Sequence, residues 1–345
     1  MAGSWEQQMV TIDDLLDEVR AQIEPTSGPL DEARARLALV RDSAASFPGA
    51  LRTYRSGSLA VHTMNKPVTD GDGGVVLNRN FYPQLGPDGA GEAPGDVVDD
   101  LCAHLGPIIR EQYPNATIHK SKRGPEVHFG APLEDQDPTV DLVVALSRKD
   151  GSGIWIPNLE NEDWDASDPE KHVELLNSGS SSFRSIRRKI IRLAKAWNKQ
   201  FIEPGMSSFQ LSVWAWEFLQ PGTGIARGLH TLFDRAAIRL EAGEATPDPA
   251  GVSDDLKLFK DADVVATRLR KAADSVVAAI DADDEDELRS AMSAVFWKYL
   301  DAPATSALKA SASLLSTGKP VAAAALGVAV AATTTAGARA FGGDR

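Results

Sequence analysis

The sequence predicts an α+β protein in which a lobe built on a mixed sheet is followed by a helical lobe. Three observations carry this. The run TVDLVVAL (139–146) is almost continuously apolar, as a central strand covered on both faces requires. The β-branched VVL that follows the glycines of DGDGGVVL (70–77) reads as a second strand. After about residue 150 the strand patterns give way to apolar residues at helical spacing.

The elements follow in order. TIDDLLDEVRAQI (11–23) places apolar residues at 12, 15, 16, 19 and 23, a helical period, and PTSGP (25–29) breaks it. A second helix is expected over 31–47, ended by Pro48 and Gly49. Residues 83–95 are polar and rich in Gly and Pro, hence a loop, and 96–112 form a helix that stops before Pro114. ATIHKSK (116–122) and EVHFG (126–130) read as further strands. Asp168-Pro169 is an N-cap followed by proline at the first helical position, opening a helix over 168–178. Helices are expected at 183–202, 207–220, 224–241, 254–280 and 283–300, with TPDPAG (246–251) as a break and DADDEDE (281–287) as a solvated acidic helix start. There is no internal repeat. The implied division is 1–150, 151–316 and an Ala-rich tail over 317–345.

Composition narrows the function classes. The 345 residues are 43% hydrophobic, enough for a sizeable core. One cysteine, Cys102, rules out a disulfide framework and a zinc site built on Cys pairs, and it fits a cytoplasmic location. The net charge of −13 lacks the basic surface by which proteins grip a long nucleic acid. MAGSWEQQMVTIDDLL has no basic n-region and no long apolar run, so no secretory leader is expected. Residues 320–338 carry no charge, but they are mostly Ala and Thr and short for a span, so no membrane association is expected.

Three pieces stand in an order that suggests chemistry: Gly57-Ser58, then Asp70-Gly71-Asp72, then Asp141 inside the apolar strand. Alternate residues on a strand share a face, so Asp70 and Asp72 can present two carboxylates together. Such a pair repels unless a cation sits between them. Hard oxygen ligands suit Mg²⁺ or Mn²⁺. Asp141 would complete a second site, giving two ions that stabilise the attacking and leaving oxygens of an in-line displacement. Gly57-Ser58 would let backbone N–H groups and a hydroxyl approach a triphosphate. Taken alone, DGDGG is a turn signal and Gly-Ser says almost nothing. Asp141 in an apolar strand is rarer, because a buried unpaired charge is costly. An EF-hand loop counted from Asp70 places Val75 where glycine is needed and Phe81 where an acid is needed. There is no P-loop and no HExxH, and the six histidines make no ligand spacing, so they read as scattered surface or core residues.

FRSIRRKIIRLAKAWNKQF (183–201) is the second informative segment. Arg184, Arg188, Arg192, Lys195 and Lys199 share one helical face, and Ile190, Leu193, Ala194, Trp197 and Phe201 the other. A basic stripe commonly coats a solvated face. Here Lys195 is assigned to phosphate, with Arg184 and Lys199 in solvent.

With these pieces in place the chain resembles the cGAS/DncV-like nucleotidyltransferases, relatives of oligoadenylate synthetase within the polymerase-beta-like superfamily. The resemblance rests on Gly57-Ser58, TDGDGGVVL (69–77), Asp141, WDASDPEKH (164–172), LAKAWNK (193–199) and SSFQLSVWAWEFL (207–219), and it extends to RAFGG (339–343). It implies a polymerase-beta-like nucleotidyltransferase lobe and a helical lobe closing a nucleotide cleft. It implies Asp70, Asp72 and Asp141 as catalytic residues holding two Mg²⁺ or Mn²⁺ ions. Gly57, Ser58, Arg192, Lys195, Ser208 and Phe209 become nucleotide-binding residues, with Ser58 on the donor phosphate and Phe209 stacked on a base. Bacterial members of the family are similar in making cyclic di- or trinucleotides from nucleoside triphosphates, releasing pyrophosphate, to activate an effector during phage infection. The partners so implied are nucleoside triphosphates, a downstream effector that senses the product, and an operon-encoded regulator or conjugation enzyme. The alternatives are an enzyme of the same fold that modifies a small molecule, protein or RNA end, and a non-catalytic nucleotide sensor.

Overall fold

A computed structural model describes residues 10–303 except 88 and 90. The tail over 317–345, including residues 320–338 and RAFGG, lies outside the described residues. Among the described residues no helix is long and apolar enough to cross a membrane.

Two apolar clusters organise the chain. The first lies under one face of a seven-stranded mixed sheet of order β1-β2-β5-β4-β3, extended beyond β5 by β6 and β7. Its strands are β1 Ala50–Ser56, β2 Asp70–Leu77, β3 Thr117–Lys120, β4 Pro125–His128, β5 Thr139–Ser147, β6 Ile154–Asn158 and β7 Asp163–Ser167. β2 and β5 pair in parallel, while every other pairing is antiparallel. Helices α2 (Ser27–Ala45) and α4 (Gly95–Gln112) cover this face. Leu37 and Val40 of α2 and Leu101 and Leu105 of α4 meet Val75, Val127, Val140 and Leu142 there. β5 is central, as its apolar run predicts, and β6 and β7 carry the sheet past residue 150 to Ser167. These two strands escape the sequence reading because they are short and rich in Trp, Asp and Asn rather than alternating.

The second cluster is helical. It gathers α6 (Ser181–Lys199), α7 (Ser208–Phe218), α8 (Ile225–Glu241), α9 (Ala262–Ile280) and α10 (Glu285–Val295) around Trp197, Trp214 and Phe233. The first helix, α1 (Ile12–Ile23), joins this cluster through Leu15, Leu16, Val19 and Ile23 rather than the sheet that follows it in the chain. Two short helices, α3 (Gly57–Ala60) and α5 (Pro169–Leu176), lie between the clusters. Asp168 caps α5 through the Lys171 N–H, as the Asp-Pro pair predicts.

Several boundaries differ from expectation. α2 begins at Ser27, inside PTSGP, because proline is tolerated in a first turn where its N–H has no partner to lose. α9 begins at Ala262 rather than 254, since residues 246 and 256 form a bridge that holds the preceding segment extended. DGDGG is strand, not turn. The reason is close approach: a Cβ at Gly74 would lie 2.2 Å from the Tyr54 ring of the neighbouring strand. The glycine admits the buried Tyr54 across the sheet instead of reversing the chain.

Arg36 of α2 fixes where β5 enters. It is fully buried, bridges Glu32 and Asp137, donates to the Pro138 and Ala131 carbonyls, and lies over the Phe129 ring. Asp137 and Pro138 immediately precede β5. Arg36→Ala is expected to lower the unfolding free energy by about 3 kcal/mol, chiefly through carbonyls left without donors. A urea titration against the native chain measures it, and a loss under about 1 kcal/mol, the scale of an ordinary surface pair, would deny Arg36 this role.

Candidate active site

The site begins where β1 ends. Gly57 has a φ of 62°, a left-handed conformation that suits glycine, and turns the chain directly into α3. A Cβ there would stand 1.7 Å from Asp72 Oδ2, so the carboxylate occupies the space a side chain would need. The Ser58 backbone N–H donates to Asp72. The Gly-Ser pair, uninformative alone, is a glycine that admits Asp72 and an amide that holds it.

The parallel pairing of β2 and β5 aligns Asp72 with Asp141, and Asp70 lies two residues along the same face as Asp72. One carboxylate oxygen from each of the three lies within 4.8 Å of the others. Burial, then Asp70 and Asp141, push the Asp72 carboxyl up to about 7, against the opposing pull of Lys195 and the Ser58 N–H. Burial, Glu126 and Asp70 push Asp141 up to about 6, with His128 opposing. Partly buried carboxylates at this spacing oppose one another's ionisation. The donor set is all carboxylate oxygen, which fits Mg²⁺ or Mn²⁺ and not a soft metal.

Asp70 and Asp72 line a cleft of about 1200 Å³ between the sheet and the helical cluster. Lys195 forms part of its wall. The lysine is 6% exposed, donates to the Thr63 carbonyl at 3.2 Å and hydroxyl at 3.0 Å, and is lowered to about 8 by burial and Lys199. Asp70 and Asp72 act on it in the opposite sense. Lys199, expected in solvent, lines the cleft one turn further along α6. Ser208 and Phe209 line it from the first turn of α7.

The rest of the basic stripe is employed elsewhere. Arg192 is not among the cleft-lining residues: its guanidinium pairs with Glu24 of the α1 C-cap at 3.3 Å. Helical spacing aligned it with Lys195 but gave no sign that α1 would pack beside α6. Arg188 donates to Asn177 and Arg184 to the Gly179 carbonyl, both closing the turn before α6.

Two cleft residues were given no site role by the sequence reading. His172 Nε2 and Asp248 Oδ1 lie 2.5 Å apart, and the His172 ring packs 4.8 Å from Phe209. Asp248 also accepts the N–H groups of Val252 and Ser253, which holds it below the usual carboxylate range although its burial acts against this. The histidine expected to be scattered is thus a wall residue behind the aromatic ring. Its partner sits in TPDPAG, whose turn residues conceal a contact made 76 positions away.

No protein-family model and no curated protein matches the chain. Solved structures do. CdnC of E. coli MS115-1, solved with ATP, matches with a TM-score of 0.63 and 16% identity over 85% of this chain and 100% of that one. The CD-NTase CdnG of Bradyrhizobium diazoefficiens, in complex with GTP, matches at 0.61 and 15% identity over 83% and 96%. The Vibrio cholerae cyclic AMP-GMP synthase DncV, with nonhydrolyzable GTP, matches at 0.54 and 14% identity over 86% and 83%. The chain therefore has the fold of the CD-NTases, a polymerase-beta-like sheet lobe joined to a helical lobe.

Two outcomes follow from this geometry. Gly57→Ala should weaken Mn²⁺ binding about tenfold or more by displacing Asp72, on the scale of disturbing a group that orients a metal ligand; unchanged affinity in a Mn²⁺ titration would separate Gly57 from the carboxylates. The second concerns pH. The Asp72 carboxyl is raised above its ordinary value of 3.8, so the metal-free native state binds more protons than the unfolded chain between about pH 4 and 7. Metal-free stability should therefore fall as pH rises through that window. Mn²⁺ must expel those protons, so it should raise the melting temperature more at about pH 8 than at about pH 5.5. A metal-induced shift independent of pH would contradict the crowded-carboxylate picture.

Proposed function

We propose that this chain is a template-independent nucleotidyltransferase that joins nucleoside triphosphates into a cyclic di- or trinucleotide and releases pyrophosphate. One observation carries the reading: three carboxylates converge beside a glycine-serine turn, two of them lining a cleft walled by a buried lysine. The CD-NTase fold supports it, and the neighbours solved with ATP and with GTP bind that class of molecule.

The residues divide the work. Asp70, Asp72 and Asp141 would hold two Mg²⁺ or Mn²⁺ ions, whose chemistry is to neutralise charge on phosphate oxygens and lower the pKa of a hydroxyl. Ser58, at the turn beside Asp72, takes the donor phosphates through its hydroxyl and the first amides of α3. Lys195, held by Thr63, faces the same region, and a triphosphate beside it favours its charged form. Lys199 extends that cation row along α6. Phe209, backed by His172, offers a face on which a base can stack.

Asp141 stands on the far side of Asp72 from the glycine-serine turn, and in this reading the acceptor hydroxyl attacks from the side opposite the departing pyrophosphate. The acceptor oxygen forms a bond to the α-phosphorus as the bond to the pyrophosphate oxygen breaks. The hydroxyl proton passes toward Asp141. Catalysis here is positioning and charge stabilisation. A cleft of about 1200 Å³ exceeds the roughly 300–1,000 Å³ of a site for one small ligand, which suits donor and acceptor together. A second attack within the linear product closes the ring.

The further proposals are an anti-phage setting, a cytoplasmic site of action and an effector that senses the product. A regulatory partner belongs with them, supported by the neighbour CdnC, which is solved in complex with a HORMA protein.

Incubation with four labelled nucleoside triphosphates and Mg²⁺ or Mn²⁺, followed by phosphatase and mass spectrometry, tests the activity. Phosphatase-resistant cyclic products are expected; label transferred only to an added small molecule would replace cyclisation with modification. Asp70→Asn should lower turnover about a hundredfold or more, as removal of a main electrostatic stabiliser does. Native-like turnover in that variant would remove Asp70 from the mechanism.

A further inference from the structure

A short segment joins the opposite charges of the cleft and also keeps them apart. The Ser58 backbone N–H donates to Asp72. The Ser58 carbonyl accepts the Thr63 N–H at 2.9 Å. Thr63 in turn accepts the Lys195 ammonium twice, through its carbonyl at 3.2 Å and its hydroxyl at 3.0 Å. Asp72, Ser58, Thr63 and Lys195 all line the cleft, and Thr63 is 1% exposed. A second tether runs beside the first. Buried Asn65 donates through Nδ2 to the Arg192 carbonyl at 3.0 Å, about one turn before Lys195 on α6. The segment from Ser58 to Asn65 is thus fixed to an acid at one end and to α6 at the other.

The position of Lys195 runs against simple attraction. Asp70 and Asp72 both favour its charged form, and a lysine is a point charge on a flexible stem that can follow such a pull. Among the described residues, however, no ion pair joins it to either acid, and its hydrogen bonds go to Thr63. A buried ammonium needs acceptors. Threonine supplies two neutral ones, and without its hydroxyl one of them is lost. The acids that already draw the ammonium are then the acceptors left to it. An ammonium seated on Asp70 or Asp72 would occupy oxygens that a divalent cation needs and set a like charge against that cation. It would also be withdrawn from any phosphate.

We propose that Thr63 is a positioning residue that holds the Lys195 ammonium back from Asp70 and Asp72, leaving the carboxylates to a divalent cation and the ammonium to a phosphate. The phosphate half of this rests on the nucleotidyltransferase reading, and the cation half rests on the converging acids.

The test is a Mn²⁺ titration of the intact chain without nucleotide, arranged as a double-mutant cycle. Thr63→Val keeps the shape and the backbone carbonyl and removes the hydroxyl. It should weaken Mn²⁺ binding about tenfold or more, the scale of losing a group that orients a metal site. Thr63→Ser should bind Mn²⁺ as the native chain does. In a Lys195→Met chain the same Thr63→Val change should alter Mn²⁺ affinity by less than about twofold, since independent effects agree within that margin. Where valine does not fold, Thr63→Ala is put through the same cycle with the same expectation. An equal loss of Mn²⁺ affinity with and without Lys195 would make Thr63 merely structural and overturn the proposal. So would native affinity in both the Val and the Ala variant, or a loss in Thr63→Ser as large as in Thr63→Val. Titration with Mg²⁺ and an α,β-methylene analogue of ATP or of GTP reads the other half: Thr63→Val should bind it about tenfold or more weakly, and Thr63→Ser as the native chain does. A Mn²⁺ loss that depends on Lys195, in a chain that converts no triphosphate, would support the role of Thr63 while removing the proposed activity. Conversion by a chain whose Mn²⁺ affinity ignores Thr63 would keep the activity and overturn the role.

Discussion

The parallel pairing of β2 with β5 is the constraint on which the rest of this structure turns. It sets like charges in register, Asp72 against Asp141, on a sheet whose opposite face is sealed by α2 and α4. Neither strand can slip by one residue, because a one-residue shift would turn Val75, Val140 and Leu142 out of the core under α2 and α4 and the carboxylates into it. The same alternation that buries Val75, Val140 and Leu142 therefore holds the three acids together on the opposite face. The sheet core stabilises an arrangement that the carboxylates on their own oppose.

The cleft is made of surfaces that two separate cores hold in place. The sheet cluster presents acids and the helical cluster presents Lys195 and Lys199, so opposite charges line facing walls. Lys195 is the sharper case. Its stem is buried among helical residues, and Thr63, just beyond α3, supplies two acceptors to its ammonium. That contact ties the helical wall to the segment following the glycine-serine turn. His172 and Asp248 do the same for Phe209, which stands against a ring that is itself held by a carboxylate.

The central strand, the N-cap at Asp168, the apolar face of α6 and the three acids were legible in the chain, because each leaves a local trace: an apolar run, an Asp-Pro pair, a helical period, an acid where no acid should be comfortable. The glycines of β2 were ambiguous for a physical reason. The residue that needs them, Tyr54, lies on a different strand, and the turn signature they carry is real in other settings. Arg192 was misplaced because spacing reports which residues share a helix face, not which neighbour that face will meet. His172 stood in the WDASDPEKH segment without a role, since its contact with Asp248 is one that only the folded chain defines.

The two strands that carry the acids are about seventy residues apart in the chain, with α4 and the β3–β4 hairpin between them. Parallel pairing across such a distance must wait for a long loop to close, so the ladder between β2 and β5 belongs to the late, non-local part of assembly. Shorter-range units such as the β3–β4 hairpin can form earlier without bringing the acids together. A partly folded chain on the way to this structure would thus hold its acids apart in water, and the crowding of charge would arise together with the core that can withstand it.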